Sequence, residues 1–137
     1  MHLPDINVLI ALVWNHHPYH NRAKRWFDRE RTGQWLTCAL TQLGFLRISG
    51  NPAISGADTS MEVAHDLLQQ LVAHPNHRYL SENLPPVELS GWGKLHGYNK
   101  TTDIYLIALA EQHKATLVTF DQGLESSGRA VRVLKKD

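Results

Sequence analysis

Cysteine, long hydrophobic runs and targeting signals are scarce in this sequence, and each scarcity excludes something. Cys38 is the one cysteine among 137 residues, so an internal disulfide is excluded, and a lone thiol fits the reducing cytoplasm, where we expect the protein. No apolar run approaches the roughly 18 residues that cross a bilayer, so we expect no membrane contact. The opening "MHLPDINVLIALVW" has neither a basic region nor a small-residue cleavage site, and we therefore expect no signal peptide.

An excess of charge of one sign is missing as well. The 14 basic and 13 acidic side chains give a formal net charge of +1, so nucleic-acid binding would need a local basic patch. The nine histidines show no spacing typical of a zinc site, because the cluster of His16, His17 and His20 has no Cys or Glu at zinc-ligand spacing. Cys38 has no evident activating partner, so the sequence does not favour a thiol nucleophile either.

The composition is that of a globular protein. Apolar residues make up 42% of the chain and charged residues 20%. There is no internal repeat and no low-complexity tract, so we expect a single domain over residues 1–137. A domain of this length buries roughly two-thirds of its unfolded surface and needs no disulfide or metal to fold.

Short apolar segments alternate with amphipathic ones along the chain. The pattern predicts strands at 2–4, 34–40, 77–82, 115–120 and 129–135. It predicts helices at 6–14, 17–31, 41–49, 60–74, 87–95 and 102–113. Thr59, with Glu62 three residues later, matches a capping box and is the expected N-cap of the fourth helix. The "GNPAISG" stretch before it is expected to break the chain.

This order predicts an α/β fold with a mostly parallel central sheet of four to five strands and helices on both faces. Ligands bind such sheets beyond the carboxyl ends of the strands, where the strand order reverses. Asp5 follows the first strand, Asp121 follows the strand at 115–120, and Asp103 begins the helix that leads into that strand. If the two strands are neighbours, the three carboxylates meet at one edge of the sheet.

Three convergent carboxylates repel one another, and a hard divalent cation such as Mg²⁺ or Mn²⁺ removes that repulsion. Such an ion can activate water for attack on a phosphodiester. Each acid also has a simpler interpretation: Asp5 as a helix cap, Asp103 as a helix-start charge behind Thr101 or Thr102, Asp121 as a turn residue. Their joint placement, each beside a buried apolar run, favours the metal site.

Three stretches resemble motifs of a known family. "PDINVLIAL" resembles the opening of PIN domains, and "TTDIYLIALAEQHKATLVTFD" resembles their third and fourth acidic motifs. "TCALTQLGFLRISGNP" resembles the second-motif region of a subgroup of VapC-type toxins. The resemblance covers nearly the whole chain.

This resemblance implies a PIN-like domain with Mg²⁺- or Mn²⁺-dependent endoribonuclease activity, the toxin of a type II toxin–antitoxin pair. Asp5, Asp103 and Asp121 match the first, third and fourth acids of the family, which are catalytic and metal-binding. Asn7 and Thr119 match supporting polar residues. The implied partners are an RNA substrate (tRNA, ribosomal RNA or mRNA), a VapB-type antitoxin lying across the active-site groove, and a second copy of the chain in a homodimer.

The second motif departs from the family pattern, because Gly44 stands where most members have Glu. Gln42 is the nearest polar residue, but two positions on a helix are about 200° apart, so we expect it to face elsewhere and most simply to be solvated. The alternative function is therefore a PIN-fold module that binds RNA or protein, with nuclease activity weakened or lost. A phosphoacceptor domain is disfavoured, because no Asp follows the strand at 77–82.

Focused cations would be needed to bind RNA. Gln42, Arg47 and Lys100 are the candidate contacts for RNA or antitoxin. Further candidate cations on the second helix and near Asp103 are Arg22, Lys24, Arg25, Lys94 and His96. The loop "GWGKLHGYNK" either stacks a base with Trp92 or is a surface loop with Trp92 in the core; both remain open.

Overall fold

The computed structural model of the chain describes residues 1–137 except 31, 57, 82–83, 91, 93–96, 126–127, 129 and 137. Its strands are β1 (His2–Pro4), β2 (Trp35–Cys38), β3 (His77–Leu80), β4 (Thr116–Thr119) and β5 (Val131–Val133). Its α-helices are α1 (Ile6–Val13), α2 (His20–Glu30), α3 (Ala39–Ser49), α4 (Pro52–Ser55), α5 (Met61–Val72) and α6 (Thr101–Gln112). Short 3₁₀ turns occupy Pro86–Glu88, Tyr98–Lys100 and Gln122–Leu124.

The five strands form one parallel sheet in the order β3-β2-β1-β4-β5. The chain winds outward from β1 through β2 to β3 and then returns to the other side of β1 as β4. In the β1–β4 register, Leu3 lies opposite Leu117 and Pro4 opposite Val118. The strand order therefore reverses between β1 and β4, which confirms the predicted α/β class and the neighbouring strands on which the site prediction depended.

Helices cover both faces of the sheet, as the sequence predicts. On one face α6 packs Leu106 and Leu109 against Leu3, Leu36 and Leu117 of the strands. On the other face α1 and α2 pack around Val118 and Trp26, and α1, α3 and α5 pack around Trp35 and Phe45. Because this core is apolar on both sides, the strand ends are held rigidly at the carboxyl edge.

Two boundaries differ from the sequence prediction because of capping. β2 ends at Cys38, earlier than the predicted 40, since the Cys38 N–H donates to Thr41 Oγ1 (3.0 Å) and α3 begins at Ala39. Thr59 as N-cap of α5 is wrong. Ser60 Oγ accepts from the Val63 N–H (3.1 Å), while the Thr59 hydroxyl donates to the Ser49 carbonyl (2.7 Å).

Two loop predictions had different outcomes. The predicted break at 50–56 contains the one-turn helix α4, which Asn51 caps by accepting from the Ala53 N–H (3.0 Å). Residues 91 and 93–95 of the predicted helix at 87–95 lie outside the described residues, and 86–88 form a 3₁₀ turn. Within the described ranges, no helix has the length and apolarity needed to cross a bilayer.

Candidate active site

The carboxyl ends of β1 and β4 lie side by side and carry the first and last predicted acids. The Asp5 N–H donates to the Val118 carbonyl (2.8 Å), which extends the β1–β4 pairing by one residue beyond Pro4. Asp5 is thereby placed next to Thr119, the last residue of β4, and Asp121 follows two residues later. The position is the point of strand-order reversal where parallel α/β sheets bind ligands.

Asp5 is a fixed, buried carboxylate. It is 5% exposed, its Oδ1 accepts from the Ile6 N–H (2.7 Å) and its Oδ2 accepts from Thr119 Oγ1 (2.8 Å). Burial raises the pKa of Asp5, and the two hydrogen bonds oppose that rise. Asp5 therefore caps α1, as the simpler interpretation held, and also faces the other acids.

The Thr119 hydroxyl links three of the predicted site residues. It donates to Asp5, and it accepts from Asn7 Nδ2 (3.2 Å) and from the Asp121 N–H (3.1 Å). A hydroxyl has one proton to donate and two lone pairs that accept, so these three hydrogen bonds use all of the hydrogen-bonding capacity of the Thr119 hydroxyl. Asn7 Oδ1 also accepts from the Phe120 N–H (3.3 Å), so Asn7 supports the site through Thr119 and Phe120 rather than by touching Asp5.

Asp121 is held by backbone on one side and by a cation on the other. Its Oδ1 accepts from the Gly123 N–H (2.9 Å), and its Oδ2 accepts from Lys100 Nζ (2.8 Å). The hydrogen bond from Lys100 lowers the pKa of Asp121, and the same interaction raises the pKa of Lys100. Lys100 was a candidate for contact with RNA or antitoxin; in the structure it pairs with the acids.

Asp103 lies in the first turn of α6 and carries the least compensated charge of the three acids. Thr101 and Thr102 belong to the helix, and its N-cap, Lys100, makes no side-chain capping bond. Lys100 Nζ is 3.9 Å from Asp103 Oδ2, and among the described residues the carboxylate accepts no closer polar contact. Burial, followed by repulsion from Asp5, raises the pKa of Asp103 to about 6.

The three carboxylates thus share one electrostatic site with a single ammonium. Fully ionised, three acids and Lys100 leave a net charge of −3 + 1 = −2, which a divalent cation would balance. Over the part of the chain that is described, no three acidic, His or Cys side chains are clustered tightly enough to form a metal site as they stand. Lys100 occupies the space between Asp103 and Asp121 instead.

The donor chemistry nevertheless fits a hard cation. All three side chains offer carboxylate oxygens, the ligands that Mg²⁺ and Mn²⁺ prefer, and one or two carboxylates with waters suffice to hold Mg²⁺. Asp103 is a partly buried carboxylate whose nearest cation, Lys100 Nζ, is 3.9 Å away, and a bound divalent ion would stabilise its charge. Holding such an ion would require Lys100 to move away from Asp121.

Gly44 is closely packed, and a side chain there would require Ile6 to move. A Cβ built there would lie 2.2 Å from Ile6 Cδ1 and 2.7 Å from Ile6 Cγ1. Ile6 follows Asp5 directly, so its side chain fills the space next to the first acid. Gly44 is therefore the contact that lets α3 approach the start of α1.

Gln42 does not complete the acid cluster, and the expectation that it is solvated is wrong. It is half-buried, and its Nε2 donates to Thr37 Oγ1 (2.9 Å), which lies 2.7 Å from His77 Nε2. These residues lie on the sheet face that carries α3 and α5. Contact of Gln42 with RNA or antitoxin remains a prediction.

Two surface concavities flank the N-terminus of α6. One, of about 370 Å³, is lined chiefly by Leu40, Trp92, Tyr105 and Thr102, and the Trp92 indole N–H donates to the Pro86 carbonyl (3.0 Å). A second, of about 150 Å³, shares Leu40 and Thr102 and has the exposed Arg47 at its rim. Trp92 therefore lines a surface pocket beside the acids. Lys94 and His96 lie outside the described residues.

A parallel α/β sheet with acidic side chains gathered where its strand order reverses places those side chains where such sheets bind ligands. The PIN domain family model matches residues 3–129, and the chain belongs to this family.

Curated relatives from Mycobacterium tuberculosis are similar over most of their length. The chain is 37% identical to "Ribonuclease VapC38" of strain ATCC 25618 / H37Rv over 124 residues, which cover 90% of this chain and 87% of the relative. It is 34% identical to "Ribonuclease VapC39" over 130 residues, covering 93% and 94%. It is 35% identical to "Ribonuclease VapC44" over 126 residues, covering 89% and 87%.

Proposed function

We propose that this chain is a divalent-metal-dependent endoribonuclease and the toxin of a VapBC-type toxin–antitoxin pair. The observation that carries the proposal is the meeting of Asp5, Asp103 and Asp121 at the β1–β4 edge in a chain whose relatives are named as VapC ribonucleases. The alternative, a binding module without nuclease activity, is not favoured. Packing against Ile6 gives Gly44 a structural reason to lack a side chain.

The three acids have distinct tasks in the proposed reaction. Asp5 is rigidly placed by Ile6 and Thr119, so it provides a fixed ligand position. Asp103 is partly buried, and burial and repulsion from Asp5 raise its pKa to about 6, so it provides the ligand that gains most from metal binding. Asp121 is already ionised through its bonds to Lys100 and Gly123. The residues would hold Mg²⁺ or Mn²⁺ through carboxylate oxygens.

When bound, the divalent ion supplies the positive charge that lowers the pKa of an attacking water and stabilises the phosphodiester transition state. The chain supplies position and charge. Through their hydrogen bonds, Thr119 and Asn7 hold Asp5 and Asp121 in position relative to each other. The burial of Asp5 excludes bulk water from one side of the cluster. Once Lys100 leaves Asp121, its ammonium is available to the phosphate oxygens of the substrate.

The proposed partners follow from the same function. The substrate is an RNA, whether tRNA, ribosomal RNA or mRNA, and a VapB-type antitoxin covers the groove that runs past Leu40 and Thr102 toward Arg47. Arg47 is exposed and suits a carboxylate of that antitoxin. The active form is a homodimer acting in the cytoplasm.

Growth arrest tests the proposal directly. Induced expression of the wild-type chain should arrest growth, and Asp5→Ala or Asp121→Ala should relieve the arrest. Asp66→Ala, an exposed acid on α5, is the matched control and should remain toxic. Circular dichroism of the purified variants would verify folding. Full toxicity of folded Asp5→Ala and Asp121→Ala proteins would refute the catalytic assignment.

A further inference from the structure

A second charged site lies one strand away from the acids. A pocket of about 120 Å³, hereafter the basic pocket, opens between α2 and β5. Its side chains with polar groups are those of Arg22, Arg25, Trp26, Arg29, Arg132 and Lys135. Five of the 14 basic residues of a chain with a net charge of +1 therefore converge on one small cavity.

The polar side chains that line the basic pocket are all hydrogen-bond donors, and one of them, Arg22, donates through Nη1 to the Leu134 carbonyl (3.5 Å). Guanidinium, ammonium and indole groups donate and have no capacity to accept. The Trp26 side chain is 2% exposed, and its Nε1 has no acceptor among the described residues. The charged groups of the pocket can donate to an anion, so a ligand rich in hydrogen-bond acceptors would be favoured there.

Two cations of the basic pocket pair with acids among the described residues. Glu30 Oε1 lies 3.3 Å from Arg132 Nη1, and Glu125 pairs with Lys135. For the exposed Arg29, the contact in the described structure is with backbone: its Nε donates to the Arg25 carbonyl (3.4 Å). Like charges held together on a rigid helix and strand repel one another, and an anion removes that repulsion.

One wall of the basic pocket is hydrogen-bonded to β4, the strand that ends at Thr119. The Leu134 N–H donates to the Thr119 carbonyl (2.8 Å), so the pocket wall is attached to the residue that positions Asp5. The Arg22 guanidinium carbon lies 4.4 Å from the Tyr19 ring centroid and 5.9 Å from that of Phe120, and Phe120 directly precedes Asp121. A polyanion leaving the acids along this edge would pass the aromatic pair and reach the pocket.

We propose that the basic pocket binds a backbone phosphate of the RNA, away from the bond that is cut. This inference rests on the proposed ribonuclease function. The ligand chemistry is a phosphoryl group that accepts from Arg29 and Arg132. An RNA strand anchored there and at the acids is held at two points, which fixes its direction across the β1–β4 edge.

The test is RNA binding in the Asp121→Asn background with Mg²⁺ present, so that cleavage does not consume the probe. A fluorescently labelled single-stranded oligoribonucleotide of mixed sequence is titrated with the protein, and anisotropy is measured. Arg29→Gln and Arg132→Gln, singly and together, are compared with Arg78→Gln, which removes one charge, as each single variant does, from β3 at the opposite edge of the sheet. Thermal unfolding of each variant controls for folding.

The double variant should bind the oligonucleotide about tenfold more weakly, and the slope of log affinity against log salt should fall by about one. Arg78→Gln should change neither. Equal affinity of the double variant and its parent would overturn the proposal, as would equal weakening by Arg78→Gln, because the pocket would then be part of a diffuse field.

Two further measurements are made. One distinguishes a free phosphate from the RNA backbone as the ligand, and the other distinguishes failure of the basic pocket from failure of the proposed function. Inorganic phosphate and uridine 5′-monophosphate are titrated as competitors, and they should compete far more weakly than unlabelled oligonucleotide. If a free phosphate or mononucleotide binds as tightly as the oligonucleotide, the RNA-backbone assignment is wrong. Failure of the wild-type chain to cleave RNA would refute the proposed function. Normal cleavage with unaltered binding by the double variant would refute the basic pocket alone.

Discussion

The Thr119 hydroxyl is the smallest group on which the arrangement of the acids depends. One oxygen joins Asp5, Asn7 and the Asp121 backbone across a separation of more than a hundred residues in sequence. The sequence predicted Thr119 only as a supporting position matched to a family. Its three bonds could not be predicted, because they depend on the β1–β4 register rather than on local pattern.

Replacing Thr119 by Val should keep the shape of the side chain and remove all three bonds. Groups that orient metal-binding side chains typically contribute 10–100-fold to metal affinity or activity, so Thr119→Val should lose roughly that factor in kcat/KM for RNA. Thr119→Ser keeps the hydroxyl and should remain within a few-fold of wild type. Equal kcat/KM for Thr119→Val and wild type would show that the hydroxyl does not position the site.

The titration of Asp103 should make the free energy of unfolding of the metal-free protein depend on pH. Its pKa of about 6 in the folded state exceeds the value of an unfolded Asp, so the folded state binds this proton more tightly. The contribution of Asp103 to the free energy of unfolding is therefore most favourable below the unfolded pKa, and it is lost as pH rises through about 6. Asp5, whose pKa is also raised, acts in the same direction.

Other groups change the free energy of unfolding with pH in the opposite direction. The effect of Asp103 is therefore measured as the difference between a variant and wild type. Burial lowers the pKa values of His2, His17 and His77, whose neutral forms stabilise the fold above the histidine range. Asp103→Asn should be more stable than wild type in chelator at pH 7 to 8, and the gain should shrink as pH falls through about 6. Urea unfolding across pH measures this. A gain that does not vary with pH would contradict the account.

At the scale of elements, the contact between α3 and α1 explains the departure in the second motif. Gly44 lets α3 lie against Ile6, whose backbone N–H fixes Asp5. In the sequence, Gly44 stands where most members of the family have an acid. The structure adds that a side chain at this position would overlap the Ile6 side chain where it lies now. Close approach of two helices involves residues far apart in sequence, so no local signal indicated it.

Introducing a side chain at Gly44 should therefore harm the protein. Gly44→Glu should lower the free energy of unfolding by about 1–3 kcal/mol through overpacking against Ile6, and it should not raise RNA cleavage. Gly44→Ala should be destabilising for the same reason, whereas Gly33→Ala, whose Cβ would meet only the Glu30 carbonyl at 3.5 Å, is the tolerant control. Denaturant unfolding and cleavage assays measure both effects. Increased cleavage by Gly44→Glu would favour the weakened-nuclease alternative.

The helices and strands themselves were largely predictable. Apolar spacing at three and four residues marks α1, α2, α5 and α6, and short β-branched runs mark the strands, because each element buries one face against the sheet. Boundaries were less predictable where a cap depended on contacts. Thr59 has the right chemistry for an N-cap, but its hydroxyl is used by the Ser49 carbonyl, and Ser60 takes that role.

At the scale of the whole molecule, the net charge is near zero, but the molecule has one acidic site and one basic pocket. The acids lie at the end of β1 and β4, and the basic pocket lies between α2 and β5. The sequence predicted the convergence of the acids, because carboxyl ends of adjacent parallel strands must lie together. It predicted Arg22 and Arg25 as RNA contacts but not Arg29, which lies on the same helix, nor Arg132 and Lys135, whose proximity to α2 depends on β5 pairing with β4.

The central claim is that Asp5, Asp103 and Asp121 hold a divalent ion that drives RNA cleavage. The most direct measurement is cleavage of total cellular RNA by purified protein that has been stripped with EDTA and then given Mg²⁺ or Mn²⁺, with Asp103→Asn assayed alongside. The account predicts no cleavage in EDTA, recovery on adding either ion to wild type, and little recovery in the variant. Undiminished cleavage in excess EDTA, or full recovery in Asp103→Asn, would contradict it.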